Sequence, residues 1–188
     1  EVLALLGLVP VFADVLPGTF NLDPADVARK VTPRTKAIVP VHLFGRACDV
    51  EGLEQVARSH GLKIIYDAAH AFGVTHQGRS ILHWGDISVL SFHATKVFHT
   101  GEGGALVIRD PALYEQARLY RSHGRLHRQA LPQLGINAKL SELHAAMGHA
   151  DGISIRLQQG LEYRSQIDVV FDEQDGSLAV FNLFALML

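Results

Sequence analysis

The chain has only one cysteine, Cys48, among its 188 residues. A single cysteine cannot form an internal disulfide, so a small disulfide-stabilised fold is excluded, and this usage is typical of proteins of the reducing cytosol. We interpret Cys48 as a small loop residue rather than as a catalytic thiol.

The chain also lacks an excess of charge of one sign and any long apolar run. Its 17 basic and 19 acidic residues leave a formal net charge of −2, without a block of like charges, so no footprint for nucleic acid is visible. The apolar stretch at residues 178–188 is too short to span a bilayer and contains Asn182. The first residues lack the basic region and the cleavage site of a signal peptide. We therefore expect a cytoplasmic protein that binds neither nucleic acid nor membrane.

Histidine is plentiful, with eleven copies, but no pair combines a convincing ligand spacing with a supporting carboxylate. Structural and catalytic metal sites need such a set of ligands. We therefore predict no metal site.

Short apolar runs alternate with amphipathic helical patterns along the central part of the chain. Capping residues and apolar stripes predict helices at residues 23–31, 49–60, 111–123 and 141–147. Apolar, β-rich runs predict strands at residues 9–14, 37–42, 62–66, 87–92 and 105–108. This alternation predicts an α/β fold with a mostly parallel sheet.

The patterning weakens after about Ala150. We expect residues 1–150 to form a large domain that lacks its N-terminal part, and residues 151–188 to be the truncated or divergent start of a smaller one. The chain opens within an apolar run without a helix start signal and closes on apolar residues without a stop signal. These ends favour a fragment of a longer protein.

Polar residues follow the predicted strands at the positions where α/β sheets bind ligands, outside the carboxyl ends. Residues 67–70 follow one strand, residues 91–96 lie at the end of the next, and the glycine-rich residues 100–104 lead into a third. Considered alone, Asp67 is best explained as a turn cap and Lys96 as a solvated surface residue. Neither residue by itself predicts a function.

The combination of these residues supplies what pyridoxal phosphate (PLP) requires of a protein. PLP needs a lysine for a Schiff base, an acid at its pyridine nitrogen, and hydroxyl and backbone N–H groups at its phosphate. Asp67, His70, Ser91, Lys96 and the glycine-rich turn offer these groups at successive strand ends. The spacing between Asp67 and Lys96 leaves room for one connecting segment and one strand. We therefore expect both on neighbouring strand ends that face one crevice.

Four segments resemble motifs of the DegT-type (DegT/DnrJ/EryC/StrS) sugar-nucleotide aminotransferases. Residues 32–45 resemble the family's "TPRTKAIxPVHxxG" and residues 66–73 its "EDAAQAxG". Residues 91–105 resemble the Schiff-base segment, and residues 135–146 resemble "GxNxRxxExxAA". The matches occur in family order and cover roughly residues 1–148, so they support each other.

The resemblance implies fold type I of the PLP-dependent transferases, the aspartate aminotransferase-like large domain, with a mostly parallel central sheet flanked by helices. It implies that Lys96 carries PLP and that Asp67 pairs with the pyridinium nitrogen. His70 replaces the family's usual glutamine, and its ring N–H would contact the phenolic oxygen of PLP. Ser91 would bond the phosphate. Asn137 would reach the phosphate of the cofactor in a partner subunit, because family active sites form at a homodimer interface.

The sequence also departs from the family pattern. Tyr66 stands where the family often has glutamate, and Lys139 where it often has arginine. The Gly-Thr/Ser phosphate turn and the stacking aromatic residue that precede these motifs in the family have no counterpart in this sequence. For this reason we expect residues 1–188 to be inactive on their own.

The activity implied by the resemblance is transfer of an amino group, with glutamate as the expected donor, to a nucleotide-linked keto-deoxy sugar. The product would be an amino sugar for a surface polysaccharide or a glycosylated metabolite. One alternative is a PLP-dependent sugar dehydratase on the same fold, although such enzymes replace the Schiff-base lysine with histidine and Lys96 is present. A truncated, inactive homologue is a second alternative. An unrelated nucleotide-binding domain lacks support because no G-x-G-x-x-G follows the first predicted strand.

Overall fold

The computed structural model describes residues 2–124, 134–148 and 179–181. These residues belong to two compact units that divide between Leu90 and Ser91. Each unit is described separately below. The domain boundary predicted near residue 150 lies outside the described residues, so it stays a prediction.

The first unit contains short helices and a small parallel sheet. Its helices are α1 (Val2–Leu5), α2 (Pro24–Lys30) and α3 (Val50–His60), with 3₁₀ turns at Leu43–Gly45 and Ile81–His83. Its strands are β1 (Ala37–Ile38), β2 (Lys63–Asp67), β3 (Thr75–His76), β4 (Arg79–Ser80) and β5 (Ile87–Ser91), whose last residue already belongs to the second unit.

The parallel sheet of this unit has the order β1-β2-β5. Ala37 pairs with Lys63, and Ile65 pairs with Ile87. Strands β3 and β4 form a separate antiparallel ribbon, closed by Gln77 and Gly78, whose φ angles of 50° and 74° fit a type I′ turn. The parallel pairing agrees with the predicted sheet.

Helices α2 and α3 begin and end where the capping residues predict. The Asp23 side chain accepts from Ala25 N, and Pro24 occupies the first helical position. The Asp49 Oδ1 atom accepts from Gly52 N at 2.9 Å, and Gly61 ends α3 in the left-handed conformation with φ 64°. The apolar stripe of α3 is buried, as predicted.

The strand predicted at residues 9–14 is wrong. These residues form no strand, and Val9, Val11 and Phe12 are 85%, 69% and 85% exposed. An apolar run becomes a strand only where another strand supplies hydrogen-bond partners, and no described strand pairs with this segment. Strand β1 is also shorter than predicted, because Pro40 has no N–H to donate to a ladder.

The buried face of the sheet contains a stacked pair of polar rings. The His42 and Tyr66 rings lie 4.5 Å apart with 14° between their planes, and both side chains are fully buried. Gly85 lies directly beside Tyr66: a Cβ placed on Gly85 would come within 2.7 Å of the Tyr66 ring. The Cys48 N–H donates to His42 Nδ1 at 3.1 Å, so the neutral imidazole carries its proton on Nε2. Burial lowers the pKa of His42 to about 4.

Cys48 itself is a buried structural residue. Its thiol donates to the Val41 carbonyl at 3.0 Å, and burial raises its pKa to about 12. A thiol that stays protonated is a poor nucleophile. The geometry therefore agrees with the interpretation of Cys48 as a small loop residue.

In its described part, the second unit contains two paired strands and two helical segments. It contains β6 (Gly104–Ile108), α4 (Pro111–Arg121) and β7 (Ala179–Phe181), and residues 142–148 are also helical. Strand β7 runs antiparallel to β6, with Gly104 opposite Phe181. Buried Ala138 packs with side chains of β6, of α4 and of the segment before it, namely Leu106, Tyr114, Ala117 and Ile136.

The loop between β5 and β6 folds back on itself within the second unit. Phe92 N donates to Gly103 O at 2.7 Å, Ala94 N to Gly101 O at 2.8 Å, and Thr100 N to Phe92 O at 3.0 Å. The buried Thr100 hydroxyl donates to Glu102 O at 2.8 Å. These bonds fix both arms of the loop that carries Lys96.

In the part of the chain that the structure describes, no helix has the length and apolar character needed to cross a bilayer. Within the same residues, no group of three or more histidine, cysteine or acidic side chains is placed to hold a metal ion.

We predict that His42 lowers the free energy of unfolding in acid. Burial lowers the pKa of His42 from 6.5 in the unfolded chain to about 4 in the folded one. The unfolded state therefore binds more protons between these values, and the free energy of unfolding falls by roughly 2–3 kcal/mol as the pH drops through this window. Urea unfolding at a series of pH values measures this loss. In His42→Gln the unfolding free energy should depend less on pH. The control His60→Gln alters an exposed histidine and should keep the pH dependence of the parent. An equal pH dependence in the parent and in His42→Gln would contradict the prediction.

Two glycines of the Lys96 loop provide a matched test of its packing. Both have positive φ, 80° at Gly101 and 153° at Gly103. A Cβ at Gly101 would make an ordinary contact with His144 at 3.5 Å, but at Gly103 it would meet Thr100 Oγ1 at 2.7 Å and Leu140 Cδ1 at 2.8 Å. We expect Gly101→Ala to cost about 1 kcal/mol of unfolding free energy from backbone strain. Gly103→Ala should cost about 2–4 kcal/mol because overpacking adds to the strain. Equal costs in urea unfolding would show that the loop does not pack as described.

Candidate active site

Asp67 is the last residue of β2, and main-chain bonds hold it on its β1 side. Its N–H donates to Pro40 O at 2.8 Å, and its carbonyl accepts from His42 N at 3.0 Å. Its Oδ1 atom accepts from Ala69 N at 3.0 Å. Among the described residues Oδ2 has no hydrogen-bond partner. The carboxylate is thus fixed at the strand end with one oxygen free for a ligand.

Two valines flank Asp67 on the same face of the sheet. Asp67 pairs with Val89 on β5 and forms a bridge with Val41 on its other side. Side chains of paired residues point to the same face of a sheet, so the carboxylate lies between two branched apolar side chains.

His70 lies in the turn directly after β2 and is exposed. Its ring lies parallel to that of Phe44, with 6.1 Å between ring centroids and 9° between planes. Among the described residues neither ring nitrogen of His70 has a hydrogen-bond partner. The imidazole is therefore available to a ligand.

Ser91 ends β5 and is buried. Its Oγ atom accepts from His93 N at 3.4 Å. Because the hydroxyl acts as acceptor in this bond, its own proton is available for donation.

Lys96 lies in the loop between β5 and β6, in a turn in which its N–H donates to His93 O at 2.9 Å. The His93 Nδ1 atom accepts from Thr95 N at 3.3 Å and lies 2.9 Å from Thr95 Oγ1, while His93 Nε2 lies 3.8 Å from Glu102 Oε1. Lys96 is half-buried, and no described carboxylate forms an ion pair with its amine. A fixed backbone thus presents a primary amine that forms no ion pair within the described part of the chain.

Asn137 is exposed, and its backbone forms a bridge with Ser122 at the end of α4. Nearby residues of its segment contact the Lys96 loop: Leu140 approaches Gly103, and His144 approaches Gly101. The described residues place no other protein group on the Asn137 amide.

The structure therefore brings Asp67 and His70 together in the first unit, and Ser91, Lys96 and the glycine-rich turn together in the second. Strand β5 is the link along the chain, because Val89 pairs with Asp67 and Ser91 ends the same strand. By chemistry the donor set fits PLP: a primary amine for its aldehyde, a carboxylate oxygen without a partner for its pyridine nitrogen, and a hydroxyl with a free proton for its phosphate.

Sequence reasoning missed three neighbours of these residues. Val41 and Val89 flank Asp67, and pairing register would have identified them only once the strands were aligned. Phe44 lies beside His70. The sequence feature that could have indicated this neighbour is Gly45, the next residue, which has φ 76° and lies against the His70 carbonyl.

Comparison with known proteins gives matches along most of the chain. A curated relative, the dTDP-4-amino-4,6-dideoxy-D-glucose transaminase of Shigella dysenteriae, is 47% identical over 146 residues, which are 78% of this chain and 40% of the relative. The GDP-perosamine synthase of Caulobacter vibrioides is 42% identical over 146 residues, covering 77% of this chain and 39% of its own length. The chain thus spans about 40% of the length of the curated relatives it matches.

Solved structures confirm the predicted fold. DesI, determined in the presence of its TDP-sugar product, is 46% identical with a TM-score of 0.74, and the match covers 83% of this chain and 40% of DesI. The α/β fold of the PLP-dependent sugar aminotransferases, with its mostly parallel sheet, is therefore the fold of this chain. PLP is the cofactor of the aminotransferases of this family. The model of the DegT/DnrJ/EryC1/StrS aminotransferase family matches residues 1–167, and the chain belongs to this family.

Proposed function

We propose that this chain carries the cofactor site of a cytoplasmic, PLP-dependent aminotransferase that moves an amino group from glutamate to a nucleotide-linked keto-deoxy sugar. One observation carries the proposal: Asp67 ends β2 beside Val89 of β5, and β5 ends two residues later at Ser91. Lys96 follows five residues along the chain. The names of the relatives, a dTDP-amino-sugar transaminase and a perosamine synthase, support a nucleotide sugar as the substrate class.

PLP, when bound, supplies an aldehyde that captures amino groups and a ring that accepts the electrons of a breaking bond. In the proposal, Lys96 Nζ would bond the aldehyde carbon. When an amino donor occupies the site, the free Nζ would take a proton from the donor's Cα as base and then give a proton up as acid. The turn at His93–Lys96 fixes the main chain that carries the amine, and attachment of the amine to the site would make this transfer intramolecular.

Asp67 would hold a proton on the pyridine nitrogen through Oδ2, the oxygen that lacks a partner among the described residues. Val41 and Val89 would flank that ion pair with an apolar side chain on each side of the carboxylate. The main-chain bonds around Asp67 would keep the carboxylate in place, so that it would need little reorganisation during the reaction.

His70 would donate a ring N–H to the phenolic oxygen, and Ser91 would donate its hydroxyl proton to the phosphate. Asn137 would serve the phosphate in the second subunit of a homodimer, which its exposure permits. We propose in addition that the chain divides into two domains near residue 150, because the apolar and helical patterning of the sequence weakens beyond that point.

Lys96 is predicted to be the site of covalent PLP attachment. Incubation of the full-length protein with PLP should give a visible absorption band, and borohydride should then fix the label on the peptide that contains Lys96. Peptide mapping by mass spectrometry identifies the labelled residue. Lys96→Ala is the control and should remove both band and label; a label on Lys63 or Lys139 would show that another lysine has this role.

Asp67→Asn should impair catalysis far more than folding. The amide keeps the shape of the side chain and its acceptor for Ala69 N, but it cannot hold a proton on the pyridine nitrogen. The loss of one charged partner at a reacting centre costs on the order of 3 kcal/mol, or roughly 100-fold or more in kcat. Steady-state assays with glutamate and a nucleotide-linked 4-keto-6-deoxy sugar measure the effect, and urea unfolding checks the fold. Turnover within about threefold of the parent would rule out the proposed role of Asp67.

A further inference from the structure

Phe44 is held in an unfavourable conformation that its own burial does not explain. Its backbone is left-handed, with φ 53° and ψ 29°, in the 3₁₀ turn Leu43–Gly45. Bulky aromatic residues rarely adopt this conformation. The Phe44 side chain is also 84% exposed, so core packing does not compensate the strain. Strain of this kind concentrates at functional sites.

The turn that contains Phe44 lies against His70. A Cβ on Gly45 would come within 2.8 Å of the His70 carbonyl oxygen, so the main chain of the turn touches the main chain of His70. The Phe44 ring lies parallel to the His70 imidazole at a centroid distance of 6.1 Å. The main chain of this turn and the Phe44 ring both lie against His70. We therefore attribute the left-handed backbone of Phe44 to its position beside His70.

His70 needs such support because its imidazole has no hydrogen-bond partner among the described residues. An exposed imidazole without a bond samples several rotamers, whereas a parallel aromatic neighbour favours one ring plane. We infer that Phe44 is a positioning residue that sets the ring plane of His70 for contact with the phenolic oxygen of the cofactor, an inference that rests on the proposed function of His70.

If Phe44 has this role, removal of its ring should weaken ligand binding without lowering the stability of the fold. Phe44→Asn removes the ring and places at this position a residue that tolerates the left-handed conformation. Its thermal stability should equal or exceed that of the parent. Its dissociation constant for pyridoxamine phosphate (PMP), which binds without a covalent bond to lysine, should rise roughly three- to tenfold. Phe44→Tyr keeps the ring and should match the parent in both measurements.

The experiment measures PMP dissociation constants and melting temperatures of the full-length protein with four variants: Phe44→Asn, Phe44→Tyr, His70→Ala and the double variant Phe44→Asn/His70→Ala. If Phe44 acts through His70, His70→Ala weakens PMP binding and adding Phe44→Asn causes no further loss. A marked fall in melting temperature for Phe44→Asn, or additive losses in the double variant, would overturn the inference and indicate a structural or independent role.

Two further outcomes distinguish the inference from the function on which it rests. If His70→Ala weakens PMP binding but Phe44→Asn does not, the role of Phe44 is wrong and the proposed contact of His70 remains. If His70→Ala leaves PMP affinity unchanged while Lys96 still takes the borohydride label, the role of His70 is wrong, and the role of Phe44 is overturned with it.

Discussion

Main-chain hydrogen bonds on both sides of β2 are the constraint on which the candidate site depends. On one side Asp67 exchanges bonds with Pro40 and His42, and on the other Ala68 N donates to Val89 O at 2.8 Å. The end of a strand with only one neighbour would be free to fray. With a neighbour on each side, the carboxylate has a fixed position, and the turn that carries His70 leaves the strand in a fixed direction.

The same strand serves two different environments because its side chains alternate between faces. Tyr66 and His42 lie on the face buried against the helices, where neutral rings are favoured, as the lowered pKa of His42 indicates. Asp67 lies on the opposite face, where one carboxylate oxygen has no partner within residues 2–124, 134–148 and 179–181. A shift of register by one residue would bury the carboxylate and expose the tyrosine, so the hydrophobic pattern and the chemistry select the same alignment.

Features that depend on local sequence could be predicted, and features that depend on distant partners could not. Asp23, Asp49 and Gly61 determine helix ends through bonds within a few residues, and the structure agrees with the sequence there. The apolar residues 9–14 match a strand pattern equally well, but pairing requires a neighbour that no local pattern reveals. The fold itself was predictable because motif order along the chain implied it.

The same contrast between features set by local sequence and features set by distant partners holds for the candidate site. The types and spacing of Asp67, His70, Ser91 and Lys96 predict a PLP site, and the resemblance to the family implies a role for each residue; these roles stay predictions. The positions of Val41, Val89 and Phe44 beside these residues follow from strand register and from a left-handed turn, and neither is visible in composition or periodicity.

The contact between Gly85 and Tyr66 has a consequence for how this sequence can change. The tyrosine ring fills the space that any side chain at residue 85 would need, since a Cβ there would lie 2.7 Å from two ring carbons. Residue 85 also has φ 72°, so its backbone favours glycine independently of the ring. The two positions are therefore coupled: while residue 66 is tyrosine, any side chain at residue 85 would clash with its ring, and a smaller residue at 66 would remove the clash but not the backbone strain at 85.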